Sequence, residues 1–489
     1  MIRSRFLCAS VVAGLLIWCG GLSCHRNAGP LAGTRTLTHN YLAEQAGEAQ
    51  QSIPCLATEV VPIDWSRFAV ALDGDTHYRQ CARLLVNCAR YNIAWIITTF
   101  EKDRSRDLYL LTDMREHGVR PATSVIYAMA VLLKTGAYDA GAVGVPKEQA
   151  QERIIRLLRG VAATHKVNGD ARAGWGHSWQ SALWAAQLGF GSWLLWDALD
   201  IPARRMISNL VVDEADRFLD YQAPYWNGRS GDTKAGENSW NSMILNVAVA
   251  MMPGHPHVSR WKAKSSELMV SSYATERDWK ENETVLDGRP VREWLNGYNA
   301  LDGGVVINHG FIHPDYMVAE TMNLWAFTTQ SLAGLAVPQT ASFNGALIYK
   351  TLTTRQWNCP PYHSPGGTIY IPEQPEIYYP KGVDWSTHDL SPYYLIDVWA
   401  HVLAWDRELD QKAAPWMELR ADKMLQMQRR HDDHHMFASG EYDTYPGAEQ
   451  WVTWCIADAF LILWMQAQDA IGQETNWLNA APSILPKSR

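Results

Sequence analysis

Two histidines, an asparagine, an aspartate and a tyrosine crowd the end of one stretch, Asp302–Tyr316, spelled DGGVVINHGFIHPDY. An imidazole exchanges protons near neutral pH, and a phenol titrates near 10 but is moved by its neighbours. His309 and Tyr316 are therefore expected to carry acid–base chemistry. Asn308 and His313 are expected to meet the substrate, and Gly310 lets the backbone approach it. Asp315, after His313-Pro314, reads as the N-cap of a following helix. A lone histidine is usually a structural group; two beside a tyrosine argue for a site.

Other stretches carry chemistry of the same kind. Tyr225–Asn241, YWNGRSGDTKAGENSWN, gathers Trp226, Asp232, Lys234, Glu237, Asn238 and Asn241 where a helix begins. Gly174–Gln180, GWGHSWQ, offers Trp175, His177 and Trp179; indole faces suit the apolar face of a sugar. Asp384–Asp389, DWSTHD, adds carboxylates. Arg429–Gln450 adds Glu441, Asp443, Tyr445 and Glu449. The run His431, Asp432, Asp433, His434 and His435 lacks the spacing of a closed metal site and reads as a solvated loop. No metal and no cofactor is expected.

These stretches need a scaffold, and helical periodicity dominates the chain. Helices are expected at His77–Ile93, Pro121–Lys134, Lys147–Ala163, Ser178–Leu199, Met206–Tyr221, Gly236–Met252, Pro256–Ala274, Tyr316–Ala333, Thr340–Thr353, Pro392–Leu409, Pro415–Arg430 and Glu449–Ala470. A hairpin is expected within Gly367–Tyr379. Tight connections (Asp200–Ala203, Pro253–His255, Gly334–Pro338, Asp410–Ala414) alternate with long ones. Antiparallel neighbours put every second connection on one side, and long loops on a rigid scaffold tend to carry function. The expected fold is all-α: an (α/α)6 toroid of about twelve antiparallel helices with its long loops on one face.

A helical toroid whose face carries D-G-x-x-x-x-N-H, here Asp302 to His309, with a tyrosine soon after, resembles the α/α-toroid polysaccharide lyases of the chondroitinase AC, alginate lyase and heparinase type. The resemblance implies an asparagine, a histidine and a tyrosine in catalysis. On this chain these are Asn241, with Asn238 as rival, His309 and Tyr316. It implies β-elimination from a uronic-acid-containing glycan, with a basic group near the sugar carboxylate; Arg289 and Arg292 lie in the same loop. It does not extend to the β-sandwich that many such lyases carry after the toroid. The toroid is shared with six-hairpin glycosidases. A glycoside hydrolase using two of Asp232, Glu237, Asp315, Glu441 and Glu449 is therefore the first alternative, and a non-catalytic glycan-binding lipoprotein the second.

Composition narrows the classes. The 489 residues are 47% hydrophobic and carry a net charge of −8, which argues against nucleic acid as a partner. The expected partner is a glycan, and 23 tryptophans suit that expectation as well as core packing. Arg3 and Arg5 precede the apolar run Phe6–Leu22, the pattern of a signal peptide. Cys24 is a candidate lipid anchor, so the chain is expected outside the cytoplasm, in the periplasm or at the outer surface. The expected division is a signal segment 1–24, a linker 25–70, the toroid 71–475 and a tail 476–489. The remaining cysteines do not form a disulfide framework.

Overall fold

Helices that are buried on every side alternate along this chain with helices that bury one face. The computed structural model describes residues 60–69, 74–442 and 446–471, all within the compact unit Ser52–Arg489. The expected signal segment, the Cys24 anchor, Cys55, Asp443, Tyr445 and the tail lie outside the described residues.

The one-faced helices are α1 (Thr76–Thr99), α4 (Lys147–Ala163), α6 (Ile201–Asp216), α8 (Val258–Tyr273), α13 (Gly345–Thr354) and α15 (Ala413–Gln428). The wholly or almost wholly buried ones are α2 (Glu116–Lys134), α5 (Ser181–Leu194), α7 (Ala235–Met251), α12 (Trp325–Ala333), α14 (Ser391–Val402) and α16 (Ala448–Ala467). Sequence explains the difference. Helix α5, SALWAAQLGFGSWL, has no charged residue and is apolar around its circumference, so it can only sit inside. Helix α4, KEQAQERIIRLLRGVAA, has one apolar stripe. Short helices α3 (Ala140–Val143), α9 (Glu276–Glu281), α10 (Val291–Trp294) and α11 (Pro314–Val318) decorate the connections.

The buried helices pack in circuit. Helix α2 meets α5, α5 meets α7, and α7 meets α12 and the 3-10 turn Ala319–Met322. That turn packs on α14, α14 on α16, and α16 returns to α2. Three members of the circuit are tied together by buried Asp458 of α16, which accepts hydrogen bonds from the Tyr127 hydroxyl of α2 and the Trp325 indole of α12, both at 2.9 Å. Among the described residues, strands are confined to three hairpins of two-residue strands: β1 (Lys102–Asp103) with β2 (Leu108–Tyr109), β3 (Val285–Leu286) with β4 (Arg289–Pro290), and β5 (Ile307–Asn308) with β6 (Phe311–Ile312).

Several boundaries differ from expectation for identifiable reasons. Helix α6 begins at Ile201 because Asp200 caps it, accepting the Ala203 N–H at 3.0 Å, with Pro202 in the first turn; the expected tight connection is a helix start. The helix expected over Tyr316–Ala333 is broken into α11, the 3-10 turn and α12. The Tyr273 hydroxyl donates to the Tyr316 carbonyl at 2.7 Å and so competes for an acceptor of the α-helical ladder. Within Gly367–Tyr379 only the single bridge Tyr370–Ile377 forms. Cys81, Cys88 and Cys455 are buried free thiols, and Cys359 is exposed and free. Among the described residues no helix is long and apolar enough to cross a membrane.

Candidate functional site

The β5–β6 hairpin closes through a two-residue turn, His309-Gly310, with φ of 50° and 80°. A turn of this kind needs positive φ at both positions. Glycine adopts it freely, whereas a histidine there is held against its preference, a feature often seen where a side chain has a task. The turn carries the His309 ring to Asp384, from the long connection before α14: Nδ1 is hydrogen-bonded to Asp384 Oδ2 at 2.9 Å. The same ring lies edge-on to Trp385 at 5.1 Å and to Tyr316 at 5.9 Å.

His313 ends the hairpin and enters α11. Its side chain is fully buried, and neither ring nitrogen makes a hydrogen bond. The nearest carboxylate oxygens are Asp315 Oδ2, 3.5 Å from Nδ1, and Asp384 Oδ1, 4.0 Å from Nε2. Burial and then the neighbouring His309 push its pKa down to about 4, against a smaller upward pull from Asp384 and Asp232. At neutral pH it is an uncharged imidazole.

Tyr316 stacks on Trp385, centroids 5.6 Å apart and planes 25° from parallel. Burial first, then the charges of Asp232, Asp315, Asp384 and Glu116, hold its phenol well above the ordinary 10. It is a neutral proton donor at physiological pH. Trp385 is fixed in turn by Asp315 Oδ2, which accepts its indole N–H at 2.7 Å. Asp315 also accepts from the hydroxyls of Tyr393 at 2.6 Å and Tyr379 at 3.1 Å. This corrects its reading as an N-cap: His313 occupies the cap position, and Asp315 is a partly buried anchor for aromatic side chains.

The stretch ahead of α7 meets the hairpin directly. The Thr233 N–H donates to the Ile307 carbonyl at 2.8 Å. Asp232 acts on both His313 and Tyr316 through its charge. Gly236, in the first turn of α7, lies against the Tyr316 ring: a Cβ there would fall 3.1 Å from Cδ1. The stretch ahead of α5 joins through Trp179, whose carbonyl accepts the Trp240 indole N–H at 3.2 Å. Arg120 of α2 donates to Glu116 at 2.8 Å and Gln180 at 3.4 Å; burial pushes its pKa down to about 10, against a smaller upward pull from Glu116, Tyr442 and Tyr316. The arginines expected there are engaged elsewhere: Arg289 covers Trp294 and Arg292 pairs with Glu283 at 2.7 Å.

The remaining expected residues divide into two groups. Trp179 is 57% exposed and edge-on to Trp240 at 5.1 Å, so its face is available. His177 is half-exposed and paired with Asp213 at 2.6 Å, which raises its pKa. The other group is structural. Trp175 is buried with its indole bonded to the Val161 carbonyl at 2.8 Å, so it cannot stack on a sugar. Trp226 is buried over its own loop, bonded to Gly231 at 3.1 Å. Asn238 is fully buried and donates to Pro224 and Ser271. Asn241 is itself buried, with Oδ1 making no hydrogen bond. Asn308 is a buried strand residue. Lys234 and Glu237 pair at 3.2 Å.

The distal acids are likewise occupied. Glu441 is clasped by both terminal nitrogens of Arg430, which hold its pKa down to about 2. Glu449 accepts the backbone N–H groups of Met436 at 2.7 Å and Phe437 at 2.9 Å.

Asp384 was offered only as one carboxylate of the stretch Asp384–Asp389, with no partner, and Trp385, Gly236 and Arg120 were not singled out in the sequence. Asp384 and Trp385 stand about 70 residues beyond the hairpin, where no spacing rule connects them. Among the described residues, one group of histidine and carboxylate atoms is close enough to share an ion: His309, His313 and Asp384, within 4.8 Å of one another. The run His431–His435 does not form such a group; His431 stacks on His435, which bonds Asp433. No family model, curated protein or solved structure matches the chain.

Proposed function

We propose that the chain is an exported carbohydrate-active enzyme on an (α/α)6 toroid, a lyase that cleaves a uronic-acid-containing glycan by β-elimination. The observation that carries this reading is the meeting of His309, Asp384 and Tyr316 beside Trp385. The alternation of one-faced and buried helices, with the buried ones in circuit, supports the toroid. In that arrangement the long connections lead into the N-termini of the buried helices. Those ends carry partial positive charge and favour an anionic ligand.

The chemistry follows from the two rings. Nδ1 of His309 is engaged by Asp384, so Nε2 is the nitrogen available as base. It takes the proton from the carbon beside the sugar carboxylate. The electron pair of that C–H bond forms a carbon–carbon double bond as the neighbouring C–O bond breaks. The leaving oxygen takes the proton of the Tyr316 phenol. Arg120 lends positive charge nearby, and Trp179 offers a face for a flanking sugar. In Tyr316→Phe, formation of unsaturated product, read by its near-ultraviolet absorbance, should fall by about 10²–10⁴-fold with glycan binding retained. Unchanged turnover would remove Tyr316 from the mechanism.

The hydrolase reading keeps one specific support. Asp232 and Asp384 come from different segments and both act on His313 and Tyr316. Of the acids the sequence offered for it, Glu237, Asp315, Glu441 and Glu449 are bound to other partners. New reducing ends without new ultraviolet absorbance would decide for hydrolysis by Asp232 and Asp384.

A further inference from the structure

The surroundings of Tyr316 have a charge problem if the substrate is an anion. Asp384 is half-exposed, and the charge of Asp232 acts on His313 and Tyr316. A sugar carboxylate arriving there meets like charge, and Arg120 is already engaged by Glu116 and Gln180. Something of opposite sign is needed at the carboxylate-rich side. The three groups best placed to hold it are two imidazoles and a carboxylate.

We infer that His309, His313 and Asp384 bind a divalent transition-metal cation. Three observations point there together. The ligand atoms already lie within 4.8 Å of one another, before any contraction around an ion. His313 is fully buried with both ring nitrogens lacking hydrogen bonds, although its Nε2 faces Asp384 across 4.0 Å. A buried polar group without a partner is costly, and a metal ion is one partner that would satisfy it. The His309 backbone is held at φ 50°, which delivers the second imidazole to the same carboxylate. Two histidines and one carboxylate with the remaining positions open is a donor set suited to zinc or ferrous iron rather than calcium or magnesium, which prefer oxygen.

Binding as such does not depend on the lyase reading; the role assigned to the ion does. In the loaded site the ion lies between His309 and Asp384 and turns the carboxylate-rich side into one that attracts a sugar carboxylate. The base role given to His309 above then belongs to the metal-free chain, and in the loaded chain proton transfer falls to Tyr316.

Zinc chloride titrated calorimetrically into the chelator-stripped full chain, without glycan, tests the inference. One saturable site per chain is expected. It should weaken at least about tenfold in Asp384→Asn and in His309→Ala, keep its affinity in His435→Ala, and not be displaced by calcium. Both altered positions are partly exposed, and a thermal melt of each metal-free variant checks that it folds. Absence of a saturable site overturns the inference, as does an affinity unchanged by Asp384→Asn or lost only in His435→Ala. A chain that binds zinc at this site but yields no unsaturated product keeps the metal site and sinks the lyase reading.

Discussion

The backbone N–H of Thr233 donates to the carbonyl of Ile307 across 2.8 Å, tying the segment ahead of α7 to the hairpin that carries His309. Asn299 locks the same junction from below. Its Oδ1 accepts the N–H groups of Trp226 at 2.8 Å and Lys234 at 3.2 Å. Its Nδ2 donates to the carbonyls of Pro224 at 3.0 Å and Ser271 at 2.9 Å. The residue is fully buried, so one side chain serves four backbone groups, of which only the Pro224 carbonyl has a second side-chain donor, Asn238. Asn299→Ala should cost about 2–4 kcal/mol, because it strands buried donors and acceptors as well as deleting bonds. Urea denaturation measures this; a loss below about 1 kcal/mol would show that the junction is held elsewhere.

Gly236 separates stability from function. An alanine Cβ would sit 3.1 and 3.2 Å from two atoms of the Tyr316 ring and 3.3 Å from Trp240. Alanine is the better helix former, by up to about 1 kcal/mol. Tyr316 is only partly buried and can give way. Gly236→Ala is therefore expected to leave the melting temperature nearly unchanged while shifting the phenol by a few tenths of an ångström. Turnover on a uronic-acid glycan should fall by about tenfold or more. Wild-type turnover would mean that the phenol's position is not critical.

The sequence carried the architecture better than the site. The apolar-all-round helices such as α5 and the striped ones such as α4 are distinguishable by composition, and α4 was expected over the residues it occupies, Lys147–Ala163. Local chemistry also held the start of α6, in Asp200 and Pro202, although the segment was read as a connection. The break after α11 was not legible: it depends on the hydroxyl of Tyr273, some 43 positions away. For the site, residue type pointed to His309 and Tyr316, and the hairpin brings them together. The partners that orient them, Asp384 and Trp385, come from another connection. Burial separated Trp179 from Trp175 and Trp226, and no property of the indoles themselves could do that.

Trp179 is accordingly the indole expected to meet sugar. It is 57% exposed, its ring stands edge-on to Trp240, and its carbonyl is bonded to the Trp240 indole. Because the fold uses its backbone and one ring edge, Trp179→Ala should leave the melting temperature nearly unchanged. Loss of an aromatic platform should raise KM by about tenfold with a smaller change in kcat. Trp175→Ala should do the reverse. It empties a core position and removes a hydrogen bond to Val161, costing about 3–5 kcal/mol, so its damage should appear in denaturation before it appears in kinetics. A Trp175 variant with full stability and raised KM would overturn this division.

Asp458 makes the stability of the whole circuit depend on pH. Burial raises its pKa from the ordinary 3.8 to about 7, and the hydrogen bonds from Tyr127 and Trp325 offset only part of that. A carboxyl whose folded pKa lies above its unfolded one binds its proton more tightly when folded. Its contribution is complete below about pH 4, where both states are protonated, and is lost as pH rises through about 7. Glu214 works in the opposite sense. His165 and Arg217 hold its pKa down to about 2 against burial, so its contribution is present above about 4.5 and fades as pH falls toward 2. In Asp458→Asn the first dependence is removed and the second kept. Between pH 4 and 7 the melting temperature of the wild type should therefore decline relative to that of the variant. The gap should change by no more than about 1.4 kcal/mol per pH unit. A gap that stays constant across that window would mean that Asp458 keeps its ordinary ionisation inside the fold, and that its two hydrogen bonds outweigh its burial.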